Sequence, residues 1–220
     1  MEPRWSRRTP RGLTILVFLV DKTPLYASVT PVGDGAGLLP RRASLRLCLP
    51  RLPRLVMERI FGFFRAVYLT WEGEAVAFLY YAPARRAFRI GVPPQVVVRR
   101  AVRGGWRTEG RVLYGYHPRA DGFLKVGDVH SHAGMPAFHS ATDDHDDAET
   151  GLHLTLGRLD RQRPEVSASF VAHGARFLLR PEDVVEDFAV PLQPPRKWLE
   201  RVTCREDGAR RSADARRWPG

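Results

Sequence analysis

A chain of 220 residues, 44% hydrophobic and 27% charged, has room for one ordinary domain plus appendages and enough apolar content to bury a core. That balance excludes a disordered or fibrous protein, and two cysteines, Cys48 and Cys204, exclude a disulfide framework and are expected as reduced thiols. The net charge of +11 points to a solvated basic surface rather than a nucleic-acid site, because the arginines are spread along the chain without zinc-finger spacing or an aromatic-interleaved motif.

Residues 1–12 are expected to form a flexible basic arm. The apolar run 13–20 follows Arg4, Arg7, Arg8 and Arg11, as a signal peptide's would, but it has only the length of a strand. Asp21 and Lys22 close it with no small-residue cleavage site, and it is too short to span a bilayer. A cytoplasmic protein without a membrane partner is therefore expected. Strands at 13–20, 25–30 and 44–49, with a Gly-rich loop at 31–40, make an N-terminal β extension over 13–51.

Leu52, Val56, Ile60, Phe63 and Val67 recur at helical spacing and predict an amphipathic helix over 53–69 whose broad apolar face enters the core. The run 74–81, EAVAFLYY, opens on one carboxylate and predicts a central strand covered on both faces. Short strands follow at 87–92 and 96–98, split by Pro93 and Pro94. Segments 111–116 and 123–132 are strand-like, and Asp121-Gly122 between them predicts a hairpin. The polar, acidic stretch 140–150 predicts the first turns of a short helix stopped by Gly151. A strand meander over 152–159, 165–172 and 176–179 comes next, then a strand at 184–190, a short helix at 196–202 and a disordered tail over 203–220.

The chemistry concentrates in one stretch, HSHAGMPAFHSATD. On a strand, His130 and His132 point to the same face and can offer two imidazoles to one point in space. A loop of seven residues leads to Ser140, and a helix beginning there places Asp143 one turn in, where it supplies an oxygen ligand. Two nitrogens and one carboxylate leave a fourth tetrahedral position open, which is the pattern of a catalytic zinc site. The neighbouring His139, Asp144, His145, Asp146 and Asp147 are expected as first-turn helix residues rather than a second metal site. His117, His153 and His173 have no partner spacing.

The run His130-x-His132, seven residues, Ser140, two residues, Asp143 resembles the motif of the JAMM family of JAB/MPN zinc metalloproteases, and the likeness covers about 52–180. The resemblance implies an α/β fold, a single JAB/MPN-like domain over 52–182 with cytidine-deaminase-like α-β-α layers around a mixed β-sheet. A strand and short helix over 183–202 would follow it. It also implies that Glu74, after the first long helix and at the head of an apolar strand, is the general base; Glu72 is the competitor. The activity implied is Zn2+-assisted hydrolysis of a peptide or isopeptide bond, with Glu74 moving the proton and Ser140 donating to the oxyanion while also able to cap its helix. The implied substrate is the tail of a ubiquitin-like or sulfur-carrier-like protein. The arrangement also resembles the bacterial, plasmid-associated PRTRC system protein A group, which implies an E1/ThiF-like partner.

Departures from the family pattern are Ala133, where proline usually follows the second histidine and a less rigid loop is expected, and Tyr81, where glycine is common. Asp128 shares a strand face with His130; orienting a ligand histidine and sitting at a solvated rim both stay open. The alternatives to an enzyme are a non-catalytic MPN-type scaffold, which usually has lost ligands that this chain keeps, and a basic nucleic-acid-associated protein.

Overall fold

A computed structural model describes residues 5–8, 13–20, 23–31, 44–102, 105–115, 122–138, 149–172 and 175–207. Its centre is helix α1 (Arg54–Trp71) lying on one face of a six-stranded sheet. The helix follows Pro53, whose extended backbone cannot continue a helix backwards, and ends at Glu72, which turns left-handed (φ 54°) and sends its N–H to the Tyr68 carbonyl at 2.6 Å. Met57, Ile60, Phe61, Phe63, Phe64 and Val67 are buried along it, a wider stripe than the five apolar positions of the sequence pattern. Each such side chain contributes roughly 1.5–3 kcal/mol by leaving water.

The sheet runs in the order β12-β11-β10-β9-β5-β6. Its strands are β5 (Val76–Ala82), β6 (Ala87–Gly91), β9 (Leu124–Ser131), β10 (Gly151–Gly157), β11 (Glu165–Ala172) and β12 (Ala175–Leu179). The β9–β10 pair is parallel and the other pairs are antiparallel, so the sheet is mixed. Side chains alternate across it. Ala75, Ala77, Leu79, Val129, Leu152, Leu154, Leu156, Ala168 and Phe170 join the core around α1, whereas Val76, Phe78 and Tyr80 form a second cluster with Val112 and Phe123 on the other side. The β10–β12 meander is as the sequence predicts.

A three-stranded sheet, β13-β7-β8, is built from β7 (Gln95–Val102), β8 (Gly105–Tyr114) and β13 (Val202–Asp207). A four-stranded antiparallel sheet of β1 (Trp5–Arg8), β2 (Leu13–Val20), β3 (Thr23–Pro31) and β4 (Ser44–Leu47) forms the N-terminal β extension. Two short helices, α2 (Pro181–Val184) and α3 (Arg196–Leu199), close the C-terminal part, with Trp198 edge-on to Phe63 of α1 at 5.8 Å. No helix among the described residues is long and apolar enough to cross a membrane, and both cysteines are free thiols.

Four expectations need correction. Segments 111–116 and 123–132 do not form a hairpin: β8 pairs with β7, and β9 instead lies between β5 and β10. Val126 and Val129 are buried, and a strand with such residues gains more from two covered edges than from a local turn. Within the expected flexible arm, Trp5–Arg8 pairs with β2, because an apolar strand offers its edge to any extended neighbour. Within the expected disordered tail, Thr203–Asp207 continue β13 in parallel register with β7, anchored by buried Val202. The expected strand at 184–190 is α2 followed by a single bridge, Leu52 to Val185, since Pro181 starts a helical turn and Pro191 removes a ladder donor. The expected helix at 140–150 lies outside the described residues for all but its last two.

Candidate metal centre

Three of the sequence-predicted site residues, Glu74, His130 and His132, fall on described backbone, and the strand register sets them on one face of the sheet. In the β5–β9 ladder Val76 stands opposite His130, and the Ser131 N–H bonds the Ala75 carbonyl at 2.9 Å. Continuing that register by two residues puts Glu74 opposite His132. Directly opposed residues share a face, so Glu74, His130 and His132 all lie on the side away from α1. Ser140 and Asp143 lie outside the described residues.

Glu74 is buried there, while Glu72, two residues earlier, is exposed at the end of α1. The turn between them requires Gly73: a Cβ at that position would sit 2.3 Å from a methyl of buried Val97. The Thr108 hydroxyl donates to the Trp71 carbonyl at 3.1 Å and holds the same turn to β8. A short chain path from helix to strand therefore delivers one carboxylate to the site and leaves the other in water.

The imidazoles of His130 and His132 are 5.3 Å apart, centre to centre, and tilted by 45°. Each has one nitrogen beside a fixed oxygen. His132 Nδ1 lies 3.3 Å from the Pro136 carbonyl, which can only accept, so a proton on Nδ1 would satisfy that contact and leave Nε2 to face a ligand. His130 Nε2 lies 3.1 Å from the hydroxyl of Thr155, the residue opposite it on β10 and fully buried. Orienting contacts of this kind are what ligand histidines carry. Two oriented nitrogen donors with a carboxylate one strand away suit a divalent cation such as Zn2+. Among the described residues no group of three or more His, Cys, Asp and Glu side chains forms a metal cluster, and the expected third ligand, Asp143, is not one of those residues.

The loop after His132 is pinned, contrary to the expectation drawn from Ala133. The Met135 N–H bonds the His132 carbonyl at 2.8 Å, the Leu159 N–H the Ala133 carbonyl at 3.0 Å, and the Arg158 N–H the Met135 carbonyl at 2.7 Å. The Arg158 guanidinium adds a bond to the Gly134 carbonyl at 3.1 Å, and the Ala137 N–H donates to Glu165 at 3.3 Å. Gly157 allows this close approach, since a Cβ there would lie 2.3 Å from the Ala137 nitrogen. Ala133 itself has φ 49°, a left-handed conformation that proline's ring forbids. Phe138, half exposed, sets its ring edge-on to His132 at 4.9 Å.

Asp128 does not orient His130 or His132 by any hydrogen bond the structure places there. Its carboxylate sits 3.1 Å from Nδ1 of His153, opposite it on β10, and His153 Nε2 lies 2.9 Å from the Glu149 carbonyl. His153 is 1% exposed, so the sequence reading that assigned it no role missed a buried, doubly bonded imidazole one ladder step from the His130–Thr155 pair. Glu149 is held below the usual carboxylate range by its hydrogen bond to Lys125, at 2.6 Å, against an opposing effect of burial.

Two further residues were passed over. Ser131, the middle of the H-S-H triplet, points into the core and accepts a hydrogen bond from the Ala75 N–H at 2.9 Å. Gln95 bonds both backbone groups of Val76. A lone serine between two histidines or a glutamine after two prolines gives no signal in the sequence.

One long helix on a mixed sheet, with a histidine pair and a buried glutamate on the face away from that helix, defines a JAB/MPN-like α/β domain. Residues 68–172, which run from the end of α1 to the end of β11, match the family model for prokaryotic homologs of the JAB domain. No curated protein matches the chain.

Proposed function

We propose that this chain is a zinc-dependent hydrolase that cleaves a peptide or isopeptide bond at the tail of a ubiquitin-like or sulfur-carrier-like protein. What supports the reading is the β5–β9 register, which sets buried Glu74 on the same face of the sheet as the paired imidazoles of His130 and His132. His130 and His132 would hold the metal, with Asp143 as the third ligand. When bound, zinc supplies Lewis acidity and a water acidic enough to ionise near neutral pH.

Glu74 takes a proton from the attacking water and returns it to the leaving amine, which requires only hydrogen-bond reach. Its burial keeps bulk water from competing for the carboxylate. Ser140 donates to the developing oxyanion. The likeness to the PRTRC system protein A group, and with it an E1/ThiF-like partner, belongs to the same proposal.

The JAB family also contains inactive members, and a Glu74→Gln variant separates the two cases. Metal analysis of the purified protein should find one zinc in both wild type and variant. Cleavage of a panel of ubiquitin-like and sulfur-carrier-like tail fusions should be abolished by chelator and fall by about 10²–10⁴-fold in the variant. Equal cleavage by Glu74→Gln, or a wild type that binds no zinc, rejects the proposal.

A further inference from the structure

We infer that Gln95 is a positioning residue for Glu74, an inference that rests on the proposed hydrolase reading. Strand β6 pairs with β5 only as far as Gly91, opposite Phe78, and the chain then runs through Val92, Pro93 and Pro94. Proline has no N–H, so this stretch cannot extend the ladder towards the mouth of β5. The backbone groups of Val76 that face this edge would be left without a strand partner.

The side chain of Gln95 takes that place. The Val76 N–H donates to Gln95 Oε1 at 2.9 Å, and Gln95 Nε2 donates to the Val76 carbonyl at 3.0 Å and to the Pro93 carbonyl at 3.3 Å. A carboxamide presents a donor and an acceptor side by side, as a peptide group does, and no other class of side chain can mimic a strand edge so closely. Gln95 is 2% exposed, so water does not substitute for it. Its own backbone is fixed between β13 and β8: the Gln95 N–H bonds the Arg201 carbonyl at 2.8 Å, and Tyr114 stands opposite.

On the other edge of β5, Ser131 holds the Ala75 N–H. The two residues that follow Glu74 are thus clamped from both sides, once by the histidine strand and once by the three-stranded sheet. Gln95 thereby sets where the Glu74 carboxylate stands relative to the imidazoles, without touching substrate or metal. A displacement of about 1 Å at such a group can cost roughly 10²-fold in rate.

The test is Gln95→Met, which keeps the volume and removes both hydrogen bonds, compared with wild type and Glu74→Gln on the same tail fusions. The expected result is a kcat lower by about 10–100-fold with KM within about twofold. Bound zinc should stay at the wild-type level, and amide exchange at Val76 should be at least about tenfold faster in the variant. A general structural lesion would instead lower zinc content and raise KM. Unchanged kcat, or a Val76 amide as slow as in wild type, overturns the inference while the hydrolase reading stands. A wild type inactive with zinc bound overturns both. Should Gln95→Met fail to fold, amide exchange in the wild type decides: Val76 as protected as Leu79 in mid-strand supports the clamp, and fast exchange overturns it.

Discussion

Replacing Ser131 by alanine tests whether the histidine strand and the glutamate strand are joined as described. The Ser131 hydroxyl is fully buried and accepts from the N–H of Ala75, which is itself 0% exposed. In Ser131→Ala that N–H loses its acceptor where no solvent reaches it, at a cost of about 1–3 kcal/mol. The volume removed is one oxygen, so the cavity contribution is small beside it. For a chain of this size about 1 kcal/mol moves Tm by roughly 2–4 °C, and a loss of about 2 kcal/mol predicts a fall of roughly 4–8 °C. The scan belongs in chelator, so that metal binding adds no stability of its own. A Tm within about 1 °C of wild type refutes the reasoning: the Ala75 N–H would then have closed the ladder with the main-chain carbonyl of Ser131, and the side-chain clamp would be dispensable.

Two other perturbations follow from the same geometry. Ala133→Gly relieves a left-handed backbone at φ 49° and is expected to raise Tm by roughly 2–4 °C, corresponding to about 1 kcal/mol; thermal scans showing no gain or a loss count against that strain. Lys125→Met removes the hydrogen bond that depresses Glu149, so NMR titration of the Glu149 carboxyl should move up towards the ordinary range. Because the folded value is lowered, the pair's small contribution is present above the ordinary carboxylate range and disappears as pH falls through the depressed value. The variant should therefore lose slightly less stability on acidification than wild type, and an unmoved titration rejects the pairing.

What the sequence made legible was local. The helical spacing of Ile60, Phe63 and Val67, the unbroken run after Glu74 and the H-x-H alternation each depend on neighbours within one or two turns or strand repeats, and all three are where expected. Glu74 was separable from Glu72 because one heads an apolar run and the other sits where a helix must end. The failures were non-local. Asp121-Gly122 signals a turn, but the partner of β9 was decided by the burial available beside β5 and β10. His153 meets Asp128 only because a parallel register brings positions 25 residues apart face to face. Gln95 gains its role where two prolines end one ladder and a second sheet arrives, a meeting that no spacing encodes.

The mixed sheet itself explains why the candidate site falls at this place. Strand β9 has an antiparallel neighbour on one side and a parallel one on the other. A parallel pair obliges the chain to leave β9 and travel back before entering β10 at the same end, so a long crossover must begin at His132. The carboxyl end of such a strand is the usual location of ligands in open sheets. Antiparallel β5 begins at that same end, so its register, continued two residues past Val76, directs Glu74 towards His132 from the opposite chain direction. The stem of the crossover is then fixed to β10 by Arg158 and Leu159 rather than left to swing. A rigid stem gives the crossover, which carries Ser140 and Asp143, a defined point of departure at the histidine pair; untying it, for example with a side chain at Gly157, should disturb that end of the site while leaving the α1 core intact.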